Sequence, residues 1–387
     1  TKRIVNENRL DKSLPTIEDL MEKGAKIAIL AHQGDTLDYH NLVPLTEHAQ
    51  KLQEKLGRPV TYIDDPAGPG AQNAIKALKP GEAVLLGNMR YLIEEVSTFE
   101  NDVPLQHSQM VDCYLIRQLA PLAQYYVNDA FSAAHRNAPS MVGFSELLPT
   151  AGGRQLMAEV QALHGIMANP SRPAVFVLGG LKISDAFGMM REVLENGSAD
   201  YILTGGITGI IMQIAQGTVF GQTQAQFLND RSLMAFVRPA TEFLEKFGER
   251  FINPVDFAYA KEGERQECSL DDLPVDDALF IDIGEKTIAK YIEVIGKAGS
   301  IFVNGPMGMY EDASFARGTQ AVWEAIADSP GFSVVGGGDS VNAATKLVND
   351  AENRFDYICT AGGALVHFLS GVELPLIKAL KKAYRKV

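Results

Sequence analysis

Residues 332–347, FSVVGGGDSVNAATKL, form the stretch of sequence that decides the fold. An apolar run ends in glycines at 336–338, and Asp339 and Ser340 then open a segment that suits a helix. This order predicts a strand, a tight turn and a helix capped by Asp339 or Ser340, because Asp and Ser are preferred N-caps. Glycines let the backbone approach an anionic oxygen, and the free N–H groups of a helix start attract phosphate. The stretch therefore predicts a phosphate-binding turn, and an ordinary capped strand-to-helix turn is the alternative.

Three further apolar runs in the second half of the chain also end in paired glycines. They are residues 174–178 before Gly179 and Gly180, 201–204 before Gly205 and Gly206, and 357–361 before Gly362 and Gly363. Generic turns would scatter glycines over both ends of strands, whereas these glycines all follow a strand. Ligands of open α/β sheets bind at the carboxyl ends of the strands. We therefore predict a ligand-binding shelf made of backbone along one sheet edge.

Short apolar runs alternate with helix-like segments in the first half as well. The predicted strands are 26–31, 60–63, 82–86 and 124–128, and the predicted helices are 14–23, 45–56, 72–78 and 109–119. Continuous apolar runs are typical of strands buried on both faces. The alternation predicts an α/β fold with two Rossmann-like lobes, each built on a parallel sheet with helices on both faces.

A chain of 387 residues is longer than one hydrophobic core usually supports. The region 151–173 contains a glycine pair, a polar helical stretch and a proline-rich end, which is typical of a connection between domains. We therefore expect a first lobe at 1–150, an interdomain helix and hinge at 151–173, a second lobe at 174–370 and a C-terminal tail at 371–387.

Composition excludes several classes of protein. The formal charge of −13 argues against nucleic acid or an anionic membrane as the main partner, because both favour a basic surface. The three cysteines lie far apart and include no Cys-x-x-Cys pair, and the chain does not start with a signal peptide, so we expect a reducing, cytoplasmic location. The most apolar window, 201–221, is interrupted by glycine and glutamine, so we expect no membrane span.

The common nucleotide and nucleophile motifs are absent from the sequence. The first half instead offers basic side chains after predicted strands or near the start: Arg9, His32, Arg90, His135 and Arg136. The second half offers Lys182, Asn304 and Asp339 beside glycine-rich turns, and an aspartate there could hold magnesium on a phosphate. An anion-binding lobe and a nucleotide-binding lobe suit phosphoryl transfer, which depends on positioning and charge neutralisation. A carboxylate acceptor is already ionised, so the reaction would need no general base.

These segments together resemble those of phosphoglycerate kinases, and among them the archaeal type. The matching segments occur in the family's order: AHQG (31–34), NMRY (88–91), YVNDAFSAAHR (126–136), LGGLKISD (178–185), LTGG (203–206), DIGEKTI (282–288), NGPMGMYE (304–311), GGGDS (336–340) and TAGGALVHFLSG (360–371). The resemblance implies a monomeric, cytosolic enzyme of glycolysis and gluconeogenesis. It would transfer phosphate between ATP with magnesium and the carboxylate of 3-phosphoglycerate, with hinge closure of its two lobes and its tail packed back toward the first lobe.

The resemblance also implies roles for single residues. The acid substrate would be bound in the first lobe by Arg9, His32, Arg90 and Arg136. The nucleotide would be bound in the second lobe by Lys182, Gly205, Gly206, Asn304, Glu311, Gly336, Gly337, Gly338, Asp339, Ser340 and Gly362, with Glu311 on the ribose and Asp339 on the metal. Arg9, Lys182 and Gly337 would act on the transferred phosphoryl group.

The chain departs from the family's pattern at four places. Asp35 stands at a substrate-binding position where the family has arginine, Gly87 replaces a glutamate, and Ala186 stands where many members have a second lysine. The family's first strand, with Arg-x-Asp-x-Asn, is not found at the start. We expect Asp35 to weaken binding of 3-phosphoglycerate if it faces the acid, and to be silent if it faces outward. A kinase for another small carboxylic acid, or a non-catalytic two-lobed binding protein, therefore remains an alternative, whereas the missing fingerprint disfavours a Rossmann dehydrogenase.

Overall fold

The computed structural model describes residues 3–4, 6–34 and 42–384, and the chain divides into two compact units. Unit 1 comprises Thr1–Glu159 together with Glu373–Val387, and unit 2 comprises Val160–Val372. The end of the chain therefore belongs to the same unit as its start.

The strands and α-helices are named in chain order. The strands are β1 (Ile27–Ile29), β2 (Val60–Tyr62), β3 (Ala83–Leu85), β4 (Tyr126–Asn128), β5 (Thr150–Gly152), β6 (Ala174–Leu178), β7 (Tyr201–Thr204), β8 (Phe251–Ile252), β9 (Asp256–Lys261), β10 (Glu264–Ser269), β11 (Phe280–Ile283), β12 (Ser300–Asn304), β13 (Phe332–Gly336) and β14 (Tyr357–Ile358). The helices are α1 (Asn8–Glu22), α2 (Thr46–Leu56), α3 (Pro69–Ala77), α4 (Ser97–Asp102), α5 (Tyr114–Leu119), α6 (Arg154–Met167), α7 (Ile183–Glu195), α8 (Gly206–Ala215), α9 (Gln222–Asp230), α10 (Val237–Phe247), α11 (Glu285–Ile295), α12 (Arg317–Ala327), α13 (Gly338–Leu347), α14 (Ala351–Arg354), α15 (Gly363–Leu369) and α16 (Pro375–Tyr384). The boundary between the two units falls within α6.

Unit 1 contains a parallel three-stranded sheet in the order β1-β3-β2. The central strand β3 is buried on both faces, because Ala83 and Leu85 pack with α1 and α2 while Val84 packs with α3 and α5. Ile29 at the end of β1 pairs with Leu85 at the end of β3, so the loops after these strands start at the same sheet edge. The predicted parallel pairing is confirmed, and β3 is buried on both faces as expected. The expectation of burial on both faces is wrong for β1 and β2, because Ala28 and Thr61 in the middle of these outer strands are exposed.

Unit 1 differs from the sequence-based expectation in three elements. β4 pairs with β5 in a separate two-stranded parallel sheet. Helix α1 begins at Asn8 and contains Pro15, earlier than the predicted start at residue 14. The single helix predicted at 109–119 is wrong: a 3-10 helix ends at Asp112 and α5 begins at Tyr114, because the carboxylate of Glu94 accepts the N–H groups of Tyr114 and Leu115 and starts a new helix.

Unit 2 contains a six-stranded parallel sheet in the order β14-β13-β12-β6-β7-β8. Asn304 at the end of β12 pairs with Leu178 on one side and Gly336 on the other, so these strands end level with one another. One face of the sheet packs on α11, α12 and α13 around the fully buried Trp323. The four predicted glycine-terminated strands, β6, β7, β13 and β14, therefore belong to one parallel sheet, in which the unpredicted β12 lies between β13 and β6.

The antiparallel sheet β10-β9-β11 of unit 2 was not predicted from the sequence. Strand β10, ERQECS, is polar, and Cys268 is its one buried residue. Such an edge strand lacks the continuous apolar run on which the strand predictions relied. Within the described ranges, no helix combines the length and the apolar character needed to span a membrane.

Candidate active site

The turn after β13 is held open by Gly337, which caps α13 with a φ of +85°. This conformation is unfavourable for any residue with a Cβ, and a Cβ here would also lie 2.8 Å from Nδ2 of Asn304, so the backbone conformation calls for glycine. The prediction that Asp339 or Ser340 caps the helix is wrong, because the cap is Gly337 and no side chain bonds to it. Asp339 lies instead in the first turn of α13 with an exposed carboxylate.

Ser340 has a buried side chain that organises the neighbouring loop. It is 1% exposed, and its Oγ accepts a hydrogen bond of 2.6 Å from the backbone N–H of Gly305. Its carbonyl oxygen accepts from Nε1 of Trp323 at 3.2 Å. Ser340 thus fixes the loop after β12 against the start of α13.

Backbone hydrogen bonds join the glycine loops at this edge of the sheet. Gly180 N–H donates to the carbonyl of Pro306 at 2.7 Å, and Gly206 N–H donates to Met307 at 2.8 Å. A Cβ at Gly206 would lie 2.8 Å from the nitrogen of Gly180, so a side chain would separate the loops. The edge is therefore a continuous shelf of backbone. Gly338 and Gly362 border open space, since a Cβ added at either residue would have no atom within 4 Å.

Lys182 and Asp339 bring opposite charges together on this shelf. Lys182 immediately precedes α7, and its Nζ lies 3.5 Å from Oδ2 of Asp339. Their side chains are 72% and 57% exposed, so the pair contributes little to stability and both groups remain accessible to a ligand.

These residues fit a nucleotide with magnesium. The first turns of α8 and α13 present backbone N–H groups that lack partners within their helix, which suits phosphate. Magnesium prefers oxygen ligands and is usually held by one or two carboxylates together with phosphate oxygens. The exposed carboxylate of Asp339 supplies such a ligand.

Glu311 and Asn304 lie in the loop system beside α13. Glu311 is exposed, and Nζ of Lys346 donates to the carbonyl oxygens of Tyr310 and Glu311, at 3.2 Å each. Asn304 ends β12 beside Gly337. The predicted nucleotide residues of unit 2 thus surround one sheet edge.

In unit 1, Asn88 joins the loops after β1 and β3. Its Oδ1 accepts the N–H groups of Gln33 and Arg90, each at 3.1 Å, and its Nδ2 donates to the carbonyl of Gln33 at 2.8 Å. Asn88 is fully buried, which makes it a support for the loops that carry His32 and Arg90. Its place directly after a buried strand was a signal of this role that the sequence analysis did not use.

His32 is held by two residues that sequence reasoning missed. Its Nε2 lies 3.0 Å from Oε2 of Glu95 and 3.0 Å from Oγ of Ser140. Glu95 is 1% exposed although it is an acid in a run with Ile93 and Val96. The signal in the sequence was an acid beside apolar residues shortly after NMRY. Its pairing with Ser140, 45 residues further on, left no signal in the sequence.

The predicted arginines of unit 1 occupy different settings. Nε of Arg136 donates to Oε2 of Glu100 at 2.5 Å, and its side chain is 14% exposed. Arg90 is half-buried in the 3-10 helix after Asn88, and Arg9 lies exposed in the first turn of α1. The hydrogen bonds of His32 and Asn88 connect the loops of His32 and Arg90 with Ser140. Asp35 lies outside the described residues.

The packing explains two departures from the family's sequence pattern. A Cβ at Gly87 would lie 2.7 Å from the backbone nitrogen of Asp65, so the neighbouring loop excludes any side chain there. Ala186 is 1% exposed on the inner face of α7, where a lysine would have to be buried. Both differences follow from close packing.

Asp282 is a buried acid beside the shelf to which no role was assigned from the sequence. Its Oδ2 accepts from Nη1 of Arg265 at 2.6 Å and from the N–H of Gly318 at 2.9 Å. Burial raises the pKa of Asp282 to about 6, although the hydrogen bonds from Gly318 and Arg265 act in the opposite direction. Asp282 thus ties the end of β11 to the start of α12, and the carbonyl of the preceding Ile281 accepts the N–H of Met309 from the loop after β12.

Comparisons with known proteins agree with this architecture. A family profile described as phosphoglycerate kinase matches residues 1–372. The phosphoglycerate kinase of Methanothermus fervidus is 39% identical over 386 residues, covering 100% of this chain and 92% of the relative, and that of Thermococcus kodakarensis is 41% identical over 391 residues, covering 99% and 92%. The crystal structure of phosphoglycerate kinase from Pyrococcus horikoshii superposes with a TM-score of 0.89 at 37% identity, covering 100% of this chain and 93% of that one. The chain therefore belongs to the phosphoglycerate kinase family.

Proposed function

We propose that this protein transfers the γ-phosphoryl group of ATP reversibly to the carboxylate of 3-phosphoglycerate, forming an acyl phosphate and ADP. The observation that carries the proposal is the exposed pair of Lys182 and Asp339, 3.5 Å apart, on the glycine shelf at one edge of the parallel sheet. Membership of the phosphoglycerate kinase family supports the choice of acceptor.

In this proposal the nucleotide binds to the second lobe, residues 174–370. Its phosphates lie against the backbone of Gly205, Gly206 and the glycines at 336–338, which carry no side chains. The starts of α8 and α13, next to these glycines, favour anions. Asn304 and Gly362 line the same shelf, Glu311 binds the ribose, and Ser340 holds the loop at Gly305 in place.

The acid substrate binds in the proposal to the first lobe, residues 1–150. Arg9, Arg90 and Arg136 supply positive charge for the carboxylate and the phosphate, and His32 supplies a ring nitrogen. Unit 1 places His32 and Arg90 in adjacent loops that share the buried Asn88, which supports their common role.

The chemistry is a single displacement at phosphorus. A carboxylate oxygen of the acid attacks the γ-phosphorus, and the bond from that phosphorus to the oxygen bridging it to the β-phosphate breaks, with the electrons remaining on ADP. No proton is transferred, because the acceptor is already ionised. Lys182, Arg9 and the backbone N–H of Gly337 neutralise charge that spreads over the equatorial oxygens. Magnesium, when bound beside Asp339, supplies charge neutralisation on the phosphate oxygens.

Transfer requires the reacting atoms to come within about 3–3.5 Å. We therefore propose hinge closure about residues 151–173 when both substrates are bound, with the tail at 371–387 remaining with the first lobe. We further propose that the enzyme acts as a monomer in the cytoplasm. The buried free thiols of Cys113, Cys268 and Cys359 suit a reducing compartment.

The experiment that tests this function measures ADP formation from ATP and magnesium with a panel of small carboxylic acids, including 3-phosphoglycerate, glycerate and acetate. We expect turnover with 3-phosphoglycerate to exceed that with every other acid, because the arginines require a phosphate as well as a carboxylate. Efficient turnover with a non-phosphorylated acid and none with 3-phosphoglycerate would refute the proposal. Addition of chelator is the control, and it should abolish turnover.

A further inference from the structure

Glu95 is a buried carboxylate to which the mechanism above gives no role. Its Oε1 accepts the backbone N–H of Ser140 at 2.7 Å. Its Oε2 accepts the hydroxyl of Ser140 at 2.6 Å and lies 3.0 Å from Nε2 of His32. A carboxylate is unfavourable in the interior unless it is hydrogen-bonded, and here both of its oxygens are used.

The donors and acceptors of these three groups determine where the His32 ring carries a hydrogen. An ionised carboxylate only accepts, and serine has a single O–H to donate. Since that O–H is directed to Glu95, Oγ of Ser140 can offer only a lone pair to Nε2, which lies 3.0 Å away. Nε2 therefore faces two acceptors and carries a hydrogen.

This arrangement leaves the other ring nitrogen for a ligand. Both hydrogen bonds that described residues make to His32 use Nε2, and the side chain is 22% exposed. Nδ1 then accepts from a ligand hydroxyl when the ring is neutral, and it donates to a ligand oxyanion when the ring is charged. A flip of the His32 ring by about 180° would instead place a ring carbon where Nδ1 meets the polar atom of the ligand.

We propose that Glu95 is a positioning residue for the acid substrate. Together with Ser140 it holds the His32 ring with Nε2–H inward, so that Nδ1 meets the ligand. The inference rests on the proposed function, in which His32 binds the acid, and it assigns the orientation of that ring to the buried carboxylate.

The first test is the tautomer of His32 in the full-length wild-type protein, measured by long-range proton–nitrogen NMR of the histidine rings. The chain has seven histidines, and His32→Gln identifies the signal. The hydrogen of the neutral ring is expected on Nε2. A neutral ring with its hydrogen on Nδ1 overturns the proposal, and this readout does not depend on any activity.

The second test is the kinetics of Glu95→Gln. The amide has only one oxygen, so in either orientation its NH2 group faces a donor: the backbone N–H of Ser140 at the Oε1 position, or the Ser140 hydroxyl and the His32 ring at the Oε2 position. We expect the KM for 3-phosphoglycerate to rise about 10- to 100-fold, the loss corresponding to one hydrogen bond with a charged group. The KM for ATP and the turnover number should change less than about threefold, because the change affects binding of the acid alone. An unchanged KM for the acid in a folded Glu95→Gln protein overturns the inference.

Two further variants keep the test decisive. Glu94→Gln changes the adjacent carboxylate, which accepts from the backbone of Tyr114 and Leu115, and it should leave the KM for the acid unchanged. An equal rise in Glu94→Gln would mean that the effect is not specific to His32 and would overturn the proposal.

If Glu95→Gln does not fold, Ser140→Ala decides: it should raise the KM for the acid about 2- to 10-fold through loss of one acceptor, and an unchanged KM overturns the inference. Wild-type protein that phosphorylates no acid would refute the proposed function, while the tautomer would still decide the role of Glu95.

Discussion

Asp282→Asn should change the pH dependence of the stability of unit 2. In the folded protein burial raises the pKa of Asp282 to about 6 from an ordinary value of 3.8. The folded state therefore holds a proton that the unfolded state has lost, and stability falls as pH rises from about 4 to about 6. Each tenfold change in the acid constant corresponds to about 1.4 kcal/mol, so the whole shift is worth about 3 kcal/mol. About 2 kcal/mol of this is lost from the free energy of unfolding between pH 4 and pH 6.5, because neither titration is complete at those limits.

The assay is urea unfolding followed by the fluorescence of Trp323, the only tryptophan, which lies in the core of unit 2. The asparagine side chain of the variant keeps an oxygen for Arg265 and Gly318 but does not titrate. The wild-type free energy of unfolding minus that of the variant should therefore decrease by about 2 kcal/mol between pH 4 and pH 6.5. Contributions of other titrating groups cancel in this difference. A difference that stays constant over this range, or increases with pH, would refute the argument that burial outweighs the ion pair with Arg265.

Three other changes have defined outcomes. Lys182→Met should lower the turnover number about 100- to 1000-fold in steady-state kinetics, with little change in ATP affinity measured by calorimetry, because the lysine charge acts on the phosphoryl group in the transition state. Lys246→Met, at an exposed lysine, is the control. Near-normal turnover of Lys182→Met would exclude a role of Lys182 in the transfer. Gly87→Ala should destabilise the protein by about 1–3 kcal/mol in thermal unfolding, because the new Cβ would contact the backbone of Asp65. The control Gly165→Ala, with open space around its Cβ, should not be destabilised. Equal melting temperatures of the two variants would contradict the packing argument. Asp35→Arg should lower the KM for 3-phosphoglycerate about 5- to 150-fold through favourable charge near the acid, and an unchanged KM would show that residue 35 does not act on the substrate.

Four of the six strands of the large sheet could be predicted from sequence, whereas β8 and β12 were not. The four were recognisable because the features that mark them are local. Buried parallel strands require continuous apolar residues, and loops that approach one another closely require glycine, so both leave a mark in the chain. The cap of α13 was predicted wrongly for a related reason. Asp339 and Ser340 are residue types that often cap helices. Gly337, however, adopts a conformation that starts the helix without a side-chain hydrogen bond, so the hydroxyl of Ser340 binds the neighbouring loop instead.

The residues that support His32 could not be predicted from the sequence, because their partners lie far away along the chain. Glu95 and Ser140 are 45 residues apart, and His32 is 108 residues from Ser140. Only the fold brings their donors and acceptors together, and a single sequence does not show which buried acid meets which histidine. The polar strand β10 escaped prediction because its pairing with β9 depends on backbone hydrogen bonds and not on an apolar pattern.

Formation of an acyl phosphate is the most direct test of the proposed phosphoryl transfer to a carboxylate. Wild-type protein is incubated with ATP, magnesium and 3-phosphoglycerate in the presence of hydroxylamine, which converts an acyl phosphate to a hydroxamate. The proposed mechanism predicts one hydroxamate for each ADP released, with none when 3-phosphoglycerate is omitted. Release of ADP with inorganic phosphate and no hydroxamate would contradict it.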